Sequence, residues 1–503
     1  MPWPARKMRL LAGAFLCALA LTAGAQTDTI PGVATPIVST RHTVIIAGKP
    51  LSYTARAGLL PIRRNDDGSV GAYIFFVAYI ADRAPNATTR PITFAWNGGP
   101  GANSLLLHLA AFGPRRLDEG DGVGTPSRPP HFVDNEETLL TQTDLVFVDP
   151  VGTGFSRPAA PPYASDFYGV REDIAATREF IRVYRTRFDA WDAPVYLAGE
   201  SYGTWRASGT ADAMEQNGEH VAGVILISGG IPVGPIASPE MRAALFLPER
   251  IATAAYHHRL ATDLARDTAR AMREAEQWGR TVYAPALAKR DALSPNERQA
   301  ITARLARYTG VEAVIIDQKS LVVGRSAILQ NIAQGGGVGS FDTRQVVQGK
   351  LYDDAREARR RALINGYLRD ELGFKTDLAY QGLESGWAAS GSARNPNAEW
   401  KWDQGEPGAP LIVVDDGPPG GTPPWVQRTF AANHATRTFV AAGIYDSLNS
   451  CPLIAYQASQ LEPGLRERIT LGCYVGGHMM YEDRAARVIL RHDLAHFFDQ
   501  ASP

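Results

Sequence analysis

Seven residues, Leu197-Ala198-Gly199-Glu200-Ser201-Tyr202-Gly203, constrain the fold more than any other stretch of the chain. Val195-Tyr196-Leu197 before them reads as the end of a buried strand, and Thr204-Trp205-Arg206-Ala207 after them as the start of a helix. Gly-x-Ser-x-Gly between the two is the pattern of a sharp strand-to-helix turn. Its glycines relieve crowding, so the serine hydroxyl can project at the carboxyl edge of a sheet. The amino end of the new helix also directs free N–H groups at any anion forming there. A chain with 48 glycines meets such a pentapeptide by chance fairly often, so its weight depends on its surroundings.

Those surroundings alternate strand and helix. From His42 to Arg90 the runs Thr43–Ile46, Leu51–Thr54 and Val70–Ile80 are β-branched or aromatic, with turn residues Ala47–Pro50 and Asn65–Gly68 between them. Ile92–Trp96, Leu145–Val148, Val195–Leu197 and Val221–Ile227 are short continuous apolar runs, as in strands buried on both faces. Val170–Phe188 between them has a helical polar face with Glu172, Glu179 and Arg182. The pattern predicts an α/β fold with a mostly parallel sheet. After Gly230 the chain becomes rich in Ala, Arg and Glu, and Met241–Ala275 and Pro295–Thr309 read as helices. Leu411–Val414 and Thr438–Ala442 return to strand character, and Ala485–Phe498 reads as a closing helix. The expected division is a signal peptide at 1–25, a flexible lead at 26–41 and a first part of the sheet core at 42–236. A mainly helical cap insertion at 237–405 and a second part of the core at 406–503 complete it.

The 503 residues allow one enlarged domain or two, and 45% hydrophobic with 20% charged residues is ordinary globular composition. A net charge of −1 gives no reason to expect nucleic acid or an anionic membrane as partner. Arg6, Lys7 and Arg9, the apolar run Leu10–Leu21 and Ala23-Gly24-Ala25 together read as a secretory signal. The expectation is an exported, periplasmic or secreted protein with no stable membrane anchor after cleavage. Export leaves Cys451 and Cys473, a disulfide candidate in an oxidising compartment.

A serine hydroxyl attacks only when a base takes its proton and a third group orients that base. In α/β hydrolases the order along the chain is serine, acid, histidine. His478 follows the strand-like Ile469–Tyr474, and Gly476-Gly477 let its loop approach the serine turn. His434 is a weaker rival, His257-His258 reads as solvated, and His492 and His496 lack the glutamate of a zinc-protease helix. Asp446 lies just past the end of Phe439–Ala442, where an orienting carboxylate belongs, with Asp415 and Asp416 as runners-up. Trp96-Asn97-Gly98-Gly99-Pro100-Gly101 sits between a strand and a helix start, as an oxyanion-binding loop does. Gly335-Gly336-Gly337 has no Lys-Ser/Thr after it, so it is read as a break and not as a phosphate loop. The reading calls for no cofactor and no metal.

Four segments in order resemble the serine carboxypeptidase family of α/β-hydrolase peptidases. They are Asn97-Gly98-Gly99-Pro100-Gly101, Asp149-Pro150-Val151-Gly152-Thr153-Gly154-Phe155-Ser156, Gly199-Glu200-Ser201-Tyr202 and Gly477-His478-Met479. The resemblance implies an α/β-hydrolase sheet with an inserted cap and a triad of Ser201, Asp446 and His478. It implies an oxyanion hole from the Gly99 and Tyr202 N–H groups, and a site for the substrate's terminal carboxylate made by Asn97, Gly98 and Glu200. The implied activity is release of C-terminal residues from peptides with a free C-terminus through an acyl-enzyme, favoured at acid pH. The alternative is an esterase or acyltransferase on the same triad. Gly203-Thr204 replaces the family's usual Ala-Gly, and only 32 residues separate Asp446 from His478.

Overall fold

The computed structural model describes residues 26–28, 37–83, 89–120, 128–347, 354–382, 399–402, 411–412, 420–421 and 425–501. The signal at 1–25 and the runner-up acids Asp415 and Asp416 lie outside these residues.

One large sheet organises the chain. Its main strands are β1 (Gln26–Asp28), β2 (Ile37–Ile46), β3 (Lys49–Arg63), β4 (Val70–Ala81), β5 (Ile92–Trp96), β6 (Asp144–Val148), β7 (Val195–Glu200), β8 (Gly223–Ile227), β9 (Arg437–Gly443) and β10 (Ile469–Tyr474). Their spatial order is β1-β2-β3-β4-β6-β5-β7-β8-β9-β10, with the short Arg157–Pro158 strand paired to β4. The pairs from β1 to β4 and on to β6 are antiparallel, and every pair from β6 to β10 is parallel. The β2–β3 hairpin turns on Ala47 and Gly48, both at positive φ (47° and 74°), the geometry that matches a two-residue turn to strand twist. β3 runs well past the expected Thr54 to Arg63, because β2 and β4 pair with it on both sides and override the weak strand propensity of Ala55–Gly58.

The parallel strands β5 to β8 are buried on both faces, and alternate residues enter different cores. Tyr196 and Ala198 pack on one side with Leu105–Phe112 and helix α5 (Arg484–Ala501), where Leu494, Phe497 and Phe498 are buried. Leu197 packs on the other with α1 (Val170–Arg187), α2 (Gly203–Glu215) and the Trp425–Ala432 helix. Both helical layers are fed by crossovers between parallel strands, so the α/β class follows from the chain order.

The helical region departs from the expected long helix at Met241–Ala275. It divides into Pro239–Leu245, α3 (Leu247–Tyr256), Thr262–Ala265 and Thr268–Trp278. Pro248 fits only the first turn of a new helix, and His258 stands at φ 56°, outside helical geometry. Pro295–Thr309 forms as expected, started by a Ser294–Glu297 capping box and stopped by Gly310 in the left-handed region. Buried residues between Ala244 and Val338 make an apolar cluster of their own. Ile364, Tyr367, Leu368, Phe374 and Tyr380 instead join the main core beside β3 and β4.

Candidate active site

In-register parallel pairing brings the sequence-derived residues to one edge of the sheet. Gly199 is opposite Trp96, Glu200 opposite Ile227, Ile227 opposite Ala441, and Gly443 opposite Tyr474. Asn97, Ser201, Ser228, Asp446 and His478 therefore all leave strands at the same carboxyl edge, where α/β sheets build their sites.

Ser201 sits between β7 and α2 at φ 57°, a strained conformation for a residue with a Cβ. Its N–H is held by the Ile227 carbonyl at 2.9 Å, and Thr204 N–H and Oγ1 donate back to the Ser201 carbonyl at 3.0 and 2.8 Å. A Cβ on Gly199 would overlap the Gly203 carbonyl oxygen, so the turn closes only with glycine there. Gly98 packs against this turn: a Cβ on it would overlap the Tyr202 amide nitrogen and lie 2.6 Å from the Glu200 carbonyl oxygen. The Gly98, Gly99 and Tyr202 N–H groups donate to no protein acceptor among the described residues.

His478 Nδ1 donates to Asp446 Oδ2 at 2.8 Å, and both side chains are buried. Asp446 is fixed in turn by Asn449 Nδ2 at 2.7 Å and Leu448 N–H at 2.9 Å, and Asn449 also donates to the Ser228 carbonyl at 2.9 Å. Ser228 Oγ donates to the His478 carbonyl at 2.6 Å, linking the histidine loop to the residue after Ile227, which holds the Ser201 amide. With its proton on Nδ1, the neutral ring presents the lone pair of Nε2, which is buried and has no hydrogen-bond partner. Burial pushes the His478 pKa down, but the charge and hydrogen bond of Asp446 and the charge of Glu200 outweigh it, and the net shift is upward from 6.5.

Glu200 is also buried. Its Oε2 accepts from Asn97 Nδ2 at 2.6 Å and from the Tyr481 hydroxyl. Asn97 is oriented by Leu107 N–H, which donates to its Oδ1 at 3.1 Å. Burial raises the Glu200 pKa above 4.5 against the lowering effects of nearby His478 and of the hydrogen bonds from Tyr481 and Asn97. Such a carboxyl can hold a proton beside an incoming carboxylate. Among the described residues no cluster of three or more His, Cys, Asp or Glu is placed to hold a metal ion.

Against this geometry, the serine carboxypeptidase family model matches residues 47–263. A pheromone-processing carboxypeptidase, KEX1, of Coprinopsis cinerea is 33% identical over 156 residues, 30% of this chain and 24% of that protein. A carboxypeptidase Y homolog of Arthroderma benhamiae is 33% identical over 162 residues, 31% of this chain and 30% of that protein. The matched stretch thus spans less than a third of the length of either relative. The crystal structure of Kex1Δp, a prohormone-processing carboxypeptidase from Saccharomyces cerevisiae, superposes with a TM-score of 0.53 at 15% identity. That match covers 89% of this chain and 91% of the other, and it carries the fold. The chain has the α/β fold of that carboxypeptidase.

Several neighbours of the site carry no signal in the sequence. Tyr481, three residues after His478, reaches Glu200, and no motif marks it. The segment after Gly335-Gly336-Gly337 has no motif of its own. In the structure Phe341 accepts the His478 N–H at 2.6 Å through its carbonyl and lays its half-exposed ring 5.2 Å from the imidazole. Ser340 and Thr343 bond to Ser447 and Tyr445 on the Asp446 loop, so one helical-region segment rests on both loops. His257 is half-buried and bonded to the Thr343 carbonyl at 2.6 Å, where solvent exposure was expected. His434, His492 and His496 are exposed. Cys451, at the start of helix α4 (Cys451–Ser459), is disulfide-bonded to Cys473 on β10, with Cα atoms 6.0 Å apart.

Proposed function

We propose that the chain is an exported serine-type carboxypeptidase that releases C-terminal residues from peptides through an acyl-enzyme. Nε2 of His478 takes the Ser201 proton as Oγ attacks the scissile carbonyl, and Asp446 stabilises the imidazolium that forms. The free N–H groups of Gly99 and Tyr202 receive the developing oxyanion. His478 then returns its proton to the leaving amine, and a water activated by the same nitrogen releases the acyl group. Asn97, the Gly98 N–H and a protonated Glu200 hold the terminal carboxylate.

The observation that carries this reading is the buried Glu200 carboxyl, bonded to Asn97 and Tyr481 on the residue preceding Ser201. A pure esterase has no need for a proton-holding acid there. Two carboxylates at hydrogen-bonding distance share a proton, so the bound pair has a raised pKa that belongs to both. Peptide binding is therefore favoured at acid pH and weakens toward neutrality through a rising KM. Export rests on the reading of Met1–Ala25, and the Cys451–Cys473 disulfide supports it.

The test is fluorophosphonate labelling with site mapping, alongside residue release from a blocked dipeptide by wild type and Ser201→Ala. The expected result is labelling at Ser201 and loss of release in a folded alanine variant. Labelling elsewhere, or an active alanine variant, removes the reading.

A further inference from the structure

We infer that Arg206 is a positioning residue that aims the Gly98 N–H at the substrate's terminal carboxylate, an inference that rests on the carboxypeptidase reading. Arg206 is 1% exposed, and its Nε donates to both oxygens of Asp173, at 2.8 and 3.0 Å. The ion pair alone does not account for an arginine here. Nη1 donates at 2.8 Å to the main-chain carbonyl of Asn97, across from the proposed carboxylate site.

That carbonyl and the Gly98 N–H belong to one peptide unit. The cis bond of this loop is Gly99–Pro100, so the Asn97–Gly98 peptide is trans, and its C=O and N–H point in opposite directions. A guanidinium gripping the oxygen from inside the protein thereby fixes the N–H direction on the other side, and a charged donor on the carbonyl strengthens that N–H as a donor. Helix α2 makes the grip possible. Gly203 and Arg206 are three residues apart, hence on one helix face. A Cβ on Gly203 would stand 2.9 Å from the Asn97 oxygen, so glycine leaves that oxygen room against the helix. The same ion pair reaches the neighbouring donor: the Tyr202 hydroxyl donates to Asp173 Oδ2 at 3.2 Å, and its ring lies 5.4 Å from the Arg206 guanidinium. One buried pair thus holds the main chain at Asn97 and the ring of Tyr202.

The inference separates arginine from a merely charged residue. Lysine at 206 keeps the charge for Asp173, but its single ammonium cannot also reproduce the simultaneous reach of Nε to Asp173 and of Nη1 to the Asn97 oxygen. Arg206→Lys is therefore expected to raise KM for a blocked dipeptide with a free C-terminus about tenfold. Its kcat, and KM for the C-terminal amide of the same dipeptide, should change less than about twofold. The double variant Asp173→Asn/Arg206→Met removes the hold on the Asn97 oxygen together with the charge that Arg206 pairs, and should reproduce the split, which keeps the test decisive if Arg206→Lys does not fold. A KM that rises equally for acid and amide, or a fall in kcat alone, in whichever variant folds, would overturn the positioning role and leave the carboxypeptidase reading standing. If wild type releases nothing from the free-acid dipeptide, the carboxypeptidase reading fails and the inference falls with it.

Discussion

Tyr481 donates its hydroxyl to the Glu200 carboxyl, and that bond pulls the Glu200 pKa down against the rise caused by burial. Removing it in Tyr481→Phe should let the acid keep its proton to higher pH. The decline in activity on free-acid peptides is then expected to move up by about one pH unit, measured as kcat/KM against pH. Substrates without a terminal carboxylate report His478 instead. Its pKa lies above 6.5 and the base must be neutral, so kcat/KM on a peptide amide should rise with pH through that pKa. Asn97, Glu200 and His478 were legible because each sits in a short local motif beside a strand end. Tyr481, Asp173 and Arg206 were not. Their bonds cross 281, 33 and 109 residues of chain, and only the folded sheet brings such partners together.

At the scale of elements, the strand–turn–helix at Ser201 was read correctly because steric demand is local. Gly199→Ala puts a methyl group onto the Gly203 carbonyl oxygen and should cost about 3 kcal/mol or more in urea unfolding. The short apolar strands were equally clear, since burial on both faces leaves no polar alternation to confuse them. The segment Met241–Ala275 misled because helical spacing continues through Pro248 and His258, while the backbone cannot. The disulfide from α4 to β10 ties the chain following Asp446 to the strand preceding His478, across a separation of 22 residues. Replacing both cysteines by serine should lower stability by about 3 kcal/mol, read from denaturant midpoints, and mass spectrometry of the unreduced protein should find no free thiol on either.

The whole molecule is joined across its two main regions by a buried acid. Glu249 on α3, in the helical region, meets Ser450 Oγ at 3.2 Å and accepts the Cys451 N–H at 3.0 Å, at the amino end of α4. Burial pushes its pKa up to about 8 from 4.5. The Ser450 hydroxyl already donates to the Leu245 carbonyl at 2.7 Å, so a protonated Glu249 is the group with a hydrogen left for Ser450 Oγ. A raised folded-state pKa means this contribution to stability is full below about 4.5 and is lost as pH rises through about 8. Glu249→Gln copies the neutral acid at every pH. The variant should therefore gain stability relative to wild type between pH 5 and 8, by an amount on the order of 4 kcal/mol, measured by urea unfolding at both pH values. The alternation of strand and helix patterns announced the α/β sheet. It had no means of showing that residues 244–338 make a separate cluster while Ile364–Tyr380 return to the main core, since both are apolar and helical or loop-like in sequence.

In the proposed function Glu200 recognises a terminal carboxylate by sharing a proton with it. The direct measurement is kcat/KM against pH for a blocked dipeptide and its C-terminal amide, with wild type and Glu200→Gln. Wild-type activity on the acid should fall toward neutrality through KM while activity on the amide persists to higher pH. Glu200→Gln, which keeps a donor without a charge, should flatten the fall. Identical pH profiles for acid and amide in the wild type would contradict it and leave an esterase or acyltransferase on the same serine turn.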